Sequence, residues 1–339
     1  MKLGSIALVL GAVFAAACAP VRPVPSDSGP WSGPYKHAPL AIDRQSLLMR
    51  TEVDGAPAPV VSRVSRSAVV HWAFATGRCG DERWGEGIDT ERFARANVDA
   101  FVAAGQRYVV STGGEGGQFL CDNDAGMERF IARYASPMLA GIDLDIEAGQ
   151  TEADIDDLVR TVGRAMTRHP GLRFSFTLPT HAGTEPPRGL NALGERVMAA
   201  IARHRLQTPV INLMVMNYGP ATAEHCVLAE GEASARCDMG RSAAQAARNV
   251  AARHGLPLTR VAVTLMPGVN DVVGNVTSVS DARRIAEDAR RLGLAGVHHW
   301  SLDRDRPCGA IRPTGASPVC SGLDQRPGAF QEAIEEGLR

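Results

Sequence analysis

The chain has 339 residues, of which 45% are hydrophobic, and its formal net charge is −1 at pH 7. A chain of this length and composition can bury the core of one large domain or of two ordinary ones. The 36 basic and 37 acidic residues nearly balance, which excludes a general electrostatic attraction to polyanions. We therefore expect no nucleic-acid partner.

Residues 1–18, MKLGSIALVLGAVFAAAC, predict a signal peptide for export. One lysine precedes an apolar run that is too short for a comfortable membrane span, and small residues follow. Cys18 after three alanines resembles a bacterial lipobox, in which the cysteine is acylated and becomes the new N-terminus, although Ala15 replaces the usual leucine. We expect a lipoprotein whose membrane contact is the lipid anchor alone. Ordinary cleavage nearby, giving a secreted or periplasmic protein, is the alternative.

Residues 19–34, APVRPVPSDSGPWSGP, are rich in proline, serine and glycine. This composition is typical of an extended tether without a packed core. The sequence therefore predicts that the globular domain covers residues 35–339.

Short apolar runs alternate with helical patterns through the rest of the chain. The runs that predict strands are 67–76, 107–112, 140–147, 173–180, 209–218, 260–267 and 295–302. The segments between them have helical apolar spacing and end in glycine or proline. A weaker strand–helix unit near residues 35–50 would make eight.

Strict alternation of strands and helices predicts a parallel sheet. Eight units in about 300 residues predict a single (β/α)8 TIM barrel. A doubly wound open sheet is the alternative, and such sheets usually carry a phosphate loop after the first strand. STGGEGG at 111–117 follows a strand but matches neither common phosphate-binding motif.

Six cysteines remain when Cys18 is set aside: Cys79, Cys121, Cys226, Cys237, Cys308 and Cys320. An even number in an exported protein indicates disulfide bonds, for which six cysteines allow 15 connectivities. The two short spacings favour Cys226–Cys237 and Cys308–Cys320, which leaves Cys79–Cys121. A zinc site is the alternative, but no C-x-x-C or H-x-x-x-H spacing supports it, and we expect no metal.

Three acidic residues alternate with aliphatic ones in LAGIDLDIEAGQ at 139–150. Asp143, Asp145 and Glu147 share one face of the predicted strand, because successive side chains point to opposite faces. Like charges in a half-buried strand are unfavourable unless they are paired, protonated or used chemically. The pattern favours a functional site over a structural acidic strand, and the Ile and Leu between the acids argue against a calcium loop.

GIDLDIE at 141–147 resembles the D-x-D-x-E signature of the family 18 glycoside hydrolases, the chitinase family. STGG at 111–114 resembles the S-x-G-G motif of that family, MVMNYG at 214–219 its Met-x-Tyr segment, and HHWSLDRDRPC at 298–308 its last strand. These motifs follow the order of the family over residues 35–330.

The resemblance implies retaining, substrate-assisted hydrolysis of β-1,4-linked N-acetylglucosamine polymers or oligomers, without a cofactor. Glu147 would act as the general acid and then as the base that activates water. Asp145 would orient the substrate N-acetyl group, whose carbonyl oxygen attacks C1, and Asp143 would share charge or a proton with Asp145.

Substrate contacts also follow from the resemblance. Tyr218 would donate a hydrogen bond to the N-acetyl oxygen, and Trp300 would form the floor of a sugar subsite. Met214, Met216 and Asn217 precede Tyr218 in the same segment, and we expect them near the substrate.

The chain departs from the family pattern at two positions, where Ala140 and Gly219 replace aspartates. Two other functions stay open: a non-hydrolytic chito-oligosaccharide-binding protein, and a glycosidase that acts on peptidoglycan or N-glycan cores, where an N-acetyl group is equally available. We expect the protein to be a monomer.

Overall fold

A computed structural model describes residues 30–52, 55–147, 149–207, 209–231, 235–272, 274–310 and 313–339. The predicted signal peptide, Cys18 and residues 19–29 of the predicted tether lie outside these residues. No helix in the described part of the chain combines the length and the apolar character that a membrane span requires.

Eight parallel strands close into a barrel. They are β1 (Trp31–His37), β2 (Val70–Arg78), β3 (Tyr108–Gly113), β4 (Leu139–Asp145), β5 (Arg173–Thr184), β6 (Val210–Met214), β7 (Val261–Leu265) and β8 (Gly296–Trp300). Each strand pairs in parallel with the next one along the chain. Pairing of β1 with β8 closes the ring, which confirms the predicted (β/α)8 barrel over the open sheet.

The described residues form seven α-helices, one after each strand from β2 to β8. They are α1 (Thr90–Ala104), α2 (Asp124–Tyr134), α3 (Glu152–Arg168), α4 (Ala192–Arg203), α5 (Met239–His254), α6 (Val279–Leu292) and α7 (Ala329–Leu338). Local sequence fixes their ends: Thr151 and Ser278 form capping boxes at α3 and α6, and Gly293 ends α6 in the left-handed conformation.

The connection from β1 to β2 differs from the others, because its described residues form no α-helix. They form two 3-10 turns and a small hairpin: Ala38–Leu40, Val60–Ser62, and Arg50–Thr51 paired with Ala58–Pro59. The Asp43 carboxylate accepts hydrogen bonds from the N–H groups of Gln45 and Ser46, a local turn that competes with a helix. The expected eighth strand–helix unit is therefore a strand followed by turns.

Strand β1 begins at Trp31, four residues inside the segment that we predicted to be a tether. The Trp31 ring lies 4.2 Å from the Arg173 guanidinium and 5.7 Å from that of Arg107, at the N-terminal end of the barrel. Gly33 is required in this strand, since a Cβ there would lie 2.3 Å from the carbonyl oxygen of Val69. Packing across the barrel thus overrides a composition that looked like a linker.

Three disulfide bonds, Cys79–Cys121, Cys226–Cys237 and Cys308–Cys320, confirm the predicted pairing. Each bond lies in loops that follow the C-terminal ends of strands: after β2 and β3, after β6, and after β8. The crosslinks therefore brace the face of the barrel at which sites in this fold are built.

Candidate active site

Strand β4 directs its acidic residues into the barrel, as the alternating pattern predicted. Ile142, Leu144 and Ile146 belong to the hydrophobic core, whereas Asp143 contacts side chains from three other barrel strands. This alternation places the carboxylates of Asp143 and Asp145 in the barrel interior, with Asp145 nearer the C-terminal end of the strand.

Asp143 is fully buried, and four hydroxyl groups donate hydrogen bonds to its carboxylate. The donors are Tyr35 at 3.0 Å, Ser111 at 2.7 Å, Ser175 at 2.6 Å and Thr177 at 2.8 Å. Burial raises the pKa of Asp143, and the four hydrogen bonds oppose that rise because they favour the charged form. The group is held rigidly below the cavity.

Asp145 is also buried, with 4% of its surface exposed, but its Oδ1 has no hydrogen-bond partner among the described residues. Burial, followed by the charges of Glu147 and Asp143, raises the pKa of Asp145 well above its ordinary value. A buried carboxylate oxygen without a partner is unfavourable in the free protein. It is suited to accept a hydrogen bond from a ligand.

Glu147 follows the end of β4 by two residues and is half-buried. Burial is the largest influence on its carboxyl and, with the charges of Glu115 and Asp271, raises its pKa to about 7. A hydrogen bond from the backbone N–H of Glu115 acts in the opposite direction. Near neutral pH, Glu147 therefore exists in both protonation states, as an acid–base catalyst requires.

A cavity of about 710 Å³ opens at the C-terminal ends of the strands, and Asp145 and Glu147 form part of its wall. Its volume lies within the usual range for ligand sites in proteins. Predicted site residues in its lining are Asp145, Glu147, Met214, Met216, Asn217 and Trp300. Asp143 lies below this lining.

Trp300 ends β8 at the cavity and stacks on Phe74 of β2, with ring centroids 5.3 Å apart and planes 20° from parallel. Tyr35 approaches the Trp300 ring edge-on at 6.3 Å. These contacts fix the orientation of the indole, so that one face of it is available to a flat apolar ligand surface. The sequence analysis gave Trp300 this position but assigned no role to Phe74.

The structure does not bring Tyr218 to the cavity. Asn217 adopts a left-handed conformation with φ of 52°, which ends the alternation along the segment. The Tyr218 ring consequently lies in the hydrophobic core with 1% of its surface exposed, and its hydroxyl has no hydrogen-bond partner among the described residues. Met216 and Asn217 occupy this part of the wall, and the contact of Tyr218 with the substrate stays a prediction.

Two carboxylates that the sequence analysis missed, Glu115 and Asp271, also line the cavity. Glu115 lies in the glycine-rich loop after β3. Because that loop follows the C-terminal end of a strand, the sequence could have indicated Glu115 as a residue of the cavity wall. Asp271 lies beyond β7, where Asn217 donates a hydrogen bond of 2.8 Å to its carboxylate. No sequence pattern links Asn217 to Asp271, because their contact is tertiary.

The two departures from the family pattern lie away from this cavity lining. Ala140 packs with Val69, Val109 and Trp31 near the N-terminal end of the barrel. Gly219 has φ of 103°, a backbone conformation that residues other than glycine rarely adopt. A Cβ at this position would lie 3.0 Å from the His225 ring. Neither Ala140 nor Gly219 belongs to the described cavity wall.

No protein-family model matches the chain. It is 27% identical over 260 residues to the probable bifunctional chitinase/lysozyme of Escherichia coli (strain K12), which covers 71% of this chain and 27% of that protein. It is 25% identical over 258 residues to endochitinase 11 of Metarhizium anisopliae, covering 69% of this chain and 47% of that protein. The chain thus spans about a quarter and about half of the lengths of these relatives.

The catalytic domain of the hyperthermophilic chitinase from Pyrococcus furiosus has the same fold, with a TM-score of 0.68 at 20% identity. The similarity covers 91% of this chain and 95% of that one. The chain thus has the fold of a chitinase catalytic domain, it carries motifs at its strand ends that resemble those of the family 18 glycoside hydrolases, and both of these sequence relatives are named chitinases.

Proposed function

We propose that the protein is a retaining glycoside hydrolase that cleaves β-1,4-linked N-acetylglucosamine polymers or oligomers with help from the N-acetyl group of the substrate. The observation that carries the proposal is the arrangement of Asp143, Asp145 and Glu147 along one strand, with the last two in the wall of a cavity. The chitinase names of both sequence relatives support the same substrate class.

In the proposed complex, a sugar ring stacks on the indole of Trp300, and its N-acetyl group lies beside Asp145. The unpartnered Oδ1 of Asp145 accepts a hydrogen bond from the acetamido N–H, which satisfies a buried acceptor. This contact orients the acetamido carbonyl oxygen toward C1 of the same sugar.

In the first step, protonated Glu147 donates its proton to the glycosidic oxygen, and the bond from that oxygen to C1 breaks. The acetamido carbonyl oxygen forms a bond to C1 from the opposite face, giving a cyclic oxazolinium ion. The positive charge that develops on this ring is stabilised by the carboxylate of Asp145. No carboxylate of the protein becomes bonded to the sugar.

In the second step, the Glu147 carboxylate accepts a proton from a water molecule whose oxygen attacks C1. The bond between C1 and the acetamido oxygen breaks, and the N-acetyl group is restored. Two inversions at C1 give net retention. Glu147 returns to its protonated state, which its pKa of about 7 makes accessible near neutral pH.

The direct test is incubation with chito-oligosaccharides, with products identified by mass spectrometry and the anomer of the first product by NMR. We expect cleavage with the β-anomer formed first, and Glu147→Gln should lower kcat by roughly 10²–10⁴-fold. Glu287→Gln, which neutralises an exposed residue on the outer helix α6, is the matched control. Cleavage by Glu147→Gln at the wild-type rate would refute the mechanism, and binding without cleavage by the wild type would favour a carbohydrate-binding protein.

Peptidoglycan is a second candidate substrate, because the Escherichia coli relative is named both chitinase and lysozyme. It also offers an N-acetyl group beside a β-1,4 bond. Parallel assays on chitin oligomers, peptidoglycan and glycoprotein glycans, each with the Glu147→Gln control, separate these substrates by the product released.

We also propose that the protein is exported and acylated at Cys18, on the basis of the sequence AAAC at 15–18. Mass spectrometry of the mature N-terminus should find an acylated Cys18, and Cys18→Ala should release the protein from membranes. Because one acyl chain binds only weakly, more than one is expected. A mature protein with an unmodified N-terminus at another residue would contradict this proposal.

A further inference from the structure

Three consecutive charged residues follow Trp300 by a few positions and are buried. Asp303, Arg304 and Asp305 expose 6%, 1% and 1% of their surfaces. The first two lie in a short 3-10 turn, Leu302–Arg304, directly beyond the strand that ends at the cavity. Charged side chains are almost never fully buried unless they are paired. The proposed reaction uses none of these three residues.

Each of the three charges binds a different part of the molecule. Arg304 donates hydrogen bonds to two carbonyl oxygens in the segment after β7. Asp305 accepts hydrogen bonds from two backbone N–H groups in the first turn of α7. Asp303 forms an ion pair with Lys36 of β1, the strand that lies beside β8 in the barrel. The Asp303 contact is therefore the one that joins this segment to the strand beside Trp300.

The ion pair of Lys36 and Asp303 lies in the interior of the protein. The Lys36 side chain is fully buried, and its Nζ lies 2.6 Å from Oδ2 of Asp303. The Thr51 hydroxyl donates a hydrogen bond of 2.8 Å to the other carboxylate oxygen. Burial lowers the pKa of Lys36, and the charge of Asp303 opposes that change. A buried pair of this kind adds little stability over apolar residues of similar size, but separation of its partners is strongly unfavourable.

Strand β1 places Lys36 between two residues that contact the Trp300 ring. The ring centroid of Tyr35 lies 6.3 Å from that of Trp300, and the centroid of His37 lies at 5.8 Å. Tyr35 and His37 line the cavity, and the alternation of the strand turns Lys36 away from it. Asp303 follows Trp300 by three residues. The ion pair thus joins, from behind the cavity wall, the two chain segments that meet at the indole.

We propose that the Lys36–Asp303 ion pair is a positioning element for Trp300, which holds the indole in the orientation that a sugar ring stacks on. The inference rests on the proposed function and goes beyond it, because it assigns substrate affinity to two residues outside the cavity wall. Loss of the pair frees the segment that carries Trp300 and weakens binding. The carboxylates on β4 keep their positions, so that the chemical step is unaffected.

The test replaces both charges together, by Lys36→Met and Asp303→Asn. Removal of one charge alone would leave the other buried and unpaired, whereas the paired replacement keeps the shapes and leaves no charge behind. The Kd for a chito-oligosaccharide is measured by calorimetry in the Glu147→Gln protein, which cleaves it too slowly to interfere. We expect the paired replacement to raise this Kd by roughly 2- to 10-fold, the range of one aromatic contact. In the active enzyme it should raise KM and leave kcat unchanged.

Trp300→Ala distinguishes an effect on the indole from a general loosening of the fold. If the ion pair acts through Trp300, the paired replacement should cause no further rise in Kd when Trp300 is already alanine. Asp305→Asn is the matched control, because it neutralises a buried carboxylate of the same segment that is bound to α7 instead. It should leave Kd unchanged. Additive losses in the Trp300→Ala protein, or an equal loss in Asp305→Asn, would overturn the inference.

A crystal structure of the paired replacement decides the inference without a ligand. We expect the Trp300 indole to be displaced from its stacked position on Phe74, or to have clearly higher B-factors than in the wild type. An indole with the position and order of the wild type would overturn the inference. If the wild type neither binds nor cleaves chito-oligosaccharides, the proposed function is wrong, and this structural comparison still decides whether the ion pair positions Trp300.

Discussion

Glu147→Gln is expected to stabilise the folded protein at alkaline pH while it removes activity. The pKa of Glu147 rises from 4.5 to about 7 on folding, chiefly because burial disfavours the charged form. Between these two pH values the unfolded chain has lost a proton that the folded protein still holds. The free energy of unfolding therefore falls as pH rises through this window.

The size of the effect follows from the same pKa change. One pKa unit corresponds to about 1.4 kcal/mol, so the ionised Glu147 destabilises the folded state by about 3 kcal/mol at most. The side chain is only half-buried, so that water screens part of this energy, and we expect about 1–3 kcal/mol. Glutamine has no charge to bury, and its contribution does not change with pH.

Urea unfolding of wild type and Glu147→Gln at pH 4 and at pH 8 measures this difference. The variant should gain about 1–3 kcal/mol relative to the wild type between these two pH values. Any effect of glutamine on packing is the same at both pH values and cancels in the comparison. A stability difference that is equal at pH 4 and pH 8 would show that Glu147 titrates normally in the folded state, and the assignment of Glu147 as a raised-pKa acid would fail.

Asp145→Asn should lower kcat more than it changes KM, because the oxazolinium charge develops only after the substrate has bound. A loss of affinity for uncleaved substrate as large as the loss in kcat would contradict this expectation. Trp300→Ala should raise the KM for short oligosaccharides, because it removes an aromatic contact worth about 0.5–1.5 kcal/mol in addition to the apolar area that it buries. Trp300→Phe should give an intermediate KM in the same kinetic assay. Tyr218→Phe should leave kcat/KM within about twofold and should not lower stability, since the buried hydroxyl has no partner among the described residues. A large loss of activity in Tyr218→Phe would instead support the hydrogen bond from Tyr218 to the substrate that the resemblance to the family implies.

The barrel was predictable because its strands are buried on both faces and therefore occur as nearly continuous apolar runs. Strand β1 was the exception, since Gly33 and Pro34 give its sequence the composition of a linker. Only the close approach of Val69 and the stacking of Trp31 with Arg173 show why those residues belong to a strand.

The site was predictable where a motif and the alternation of a strand coincide, as at Asp143 and Asp145. The buried position of the Tyr218 ring could not be predicted, because the left-handed conformation of Asn217 does not follow from the alternation of apolar residues. Asp271 had no signal, since its place at the cavity depends on a hydrogen bond between the loops after β6 and β7. Contacts between distant loops are set by tertiary packing rather than by local pattern.

The start of β1 at Trp31 limits how far the barrel of the proposed lipoprotein could lie from its membrane. Trp31 lies at the N-terminal end of the barrel, opposite the strand ends that surround the cavity. Twelve residues separate it from Cys18, and twelve residues span about 40 Å at most when fully extended. The N-terminal end of the barrel would then stay within about 40 Å of the point where the lipid enters the bilayer. An enzyme held in this way would act on glycans that come within that reach of the membrane.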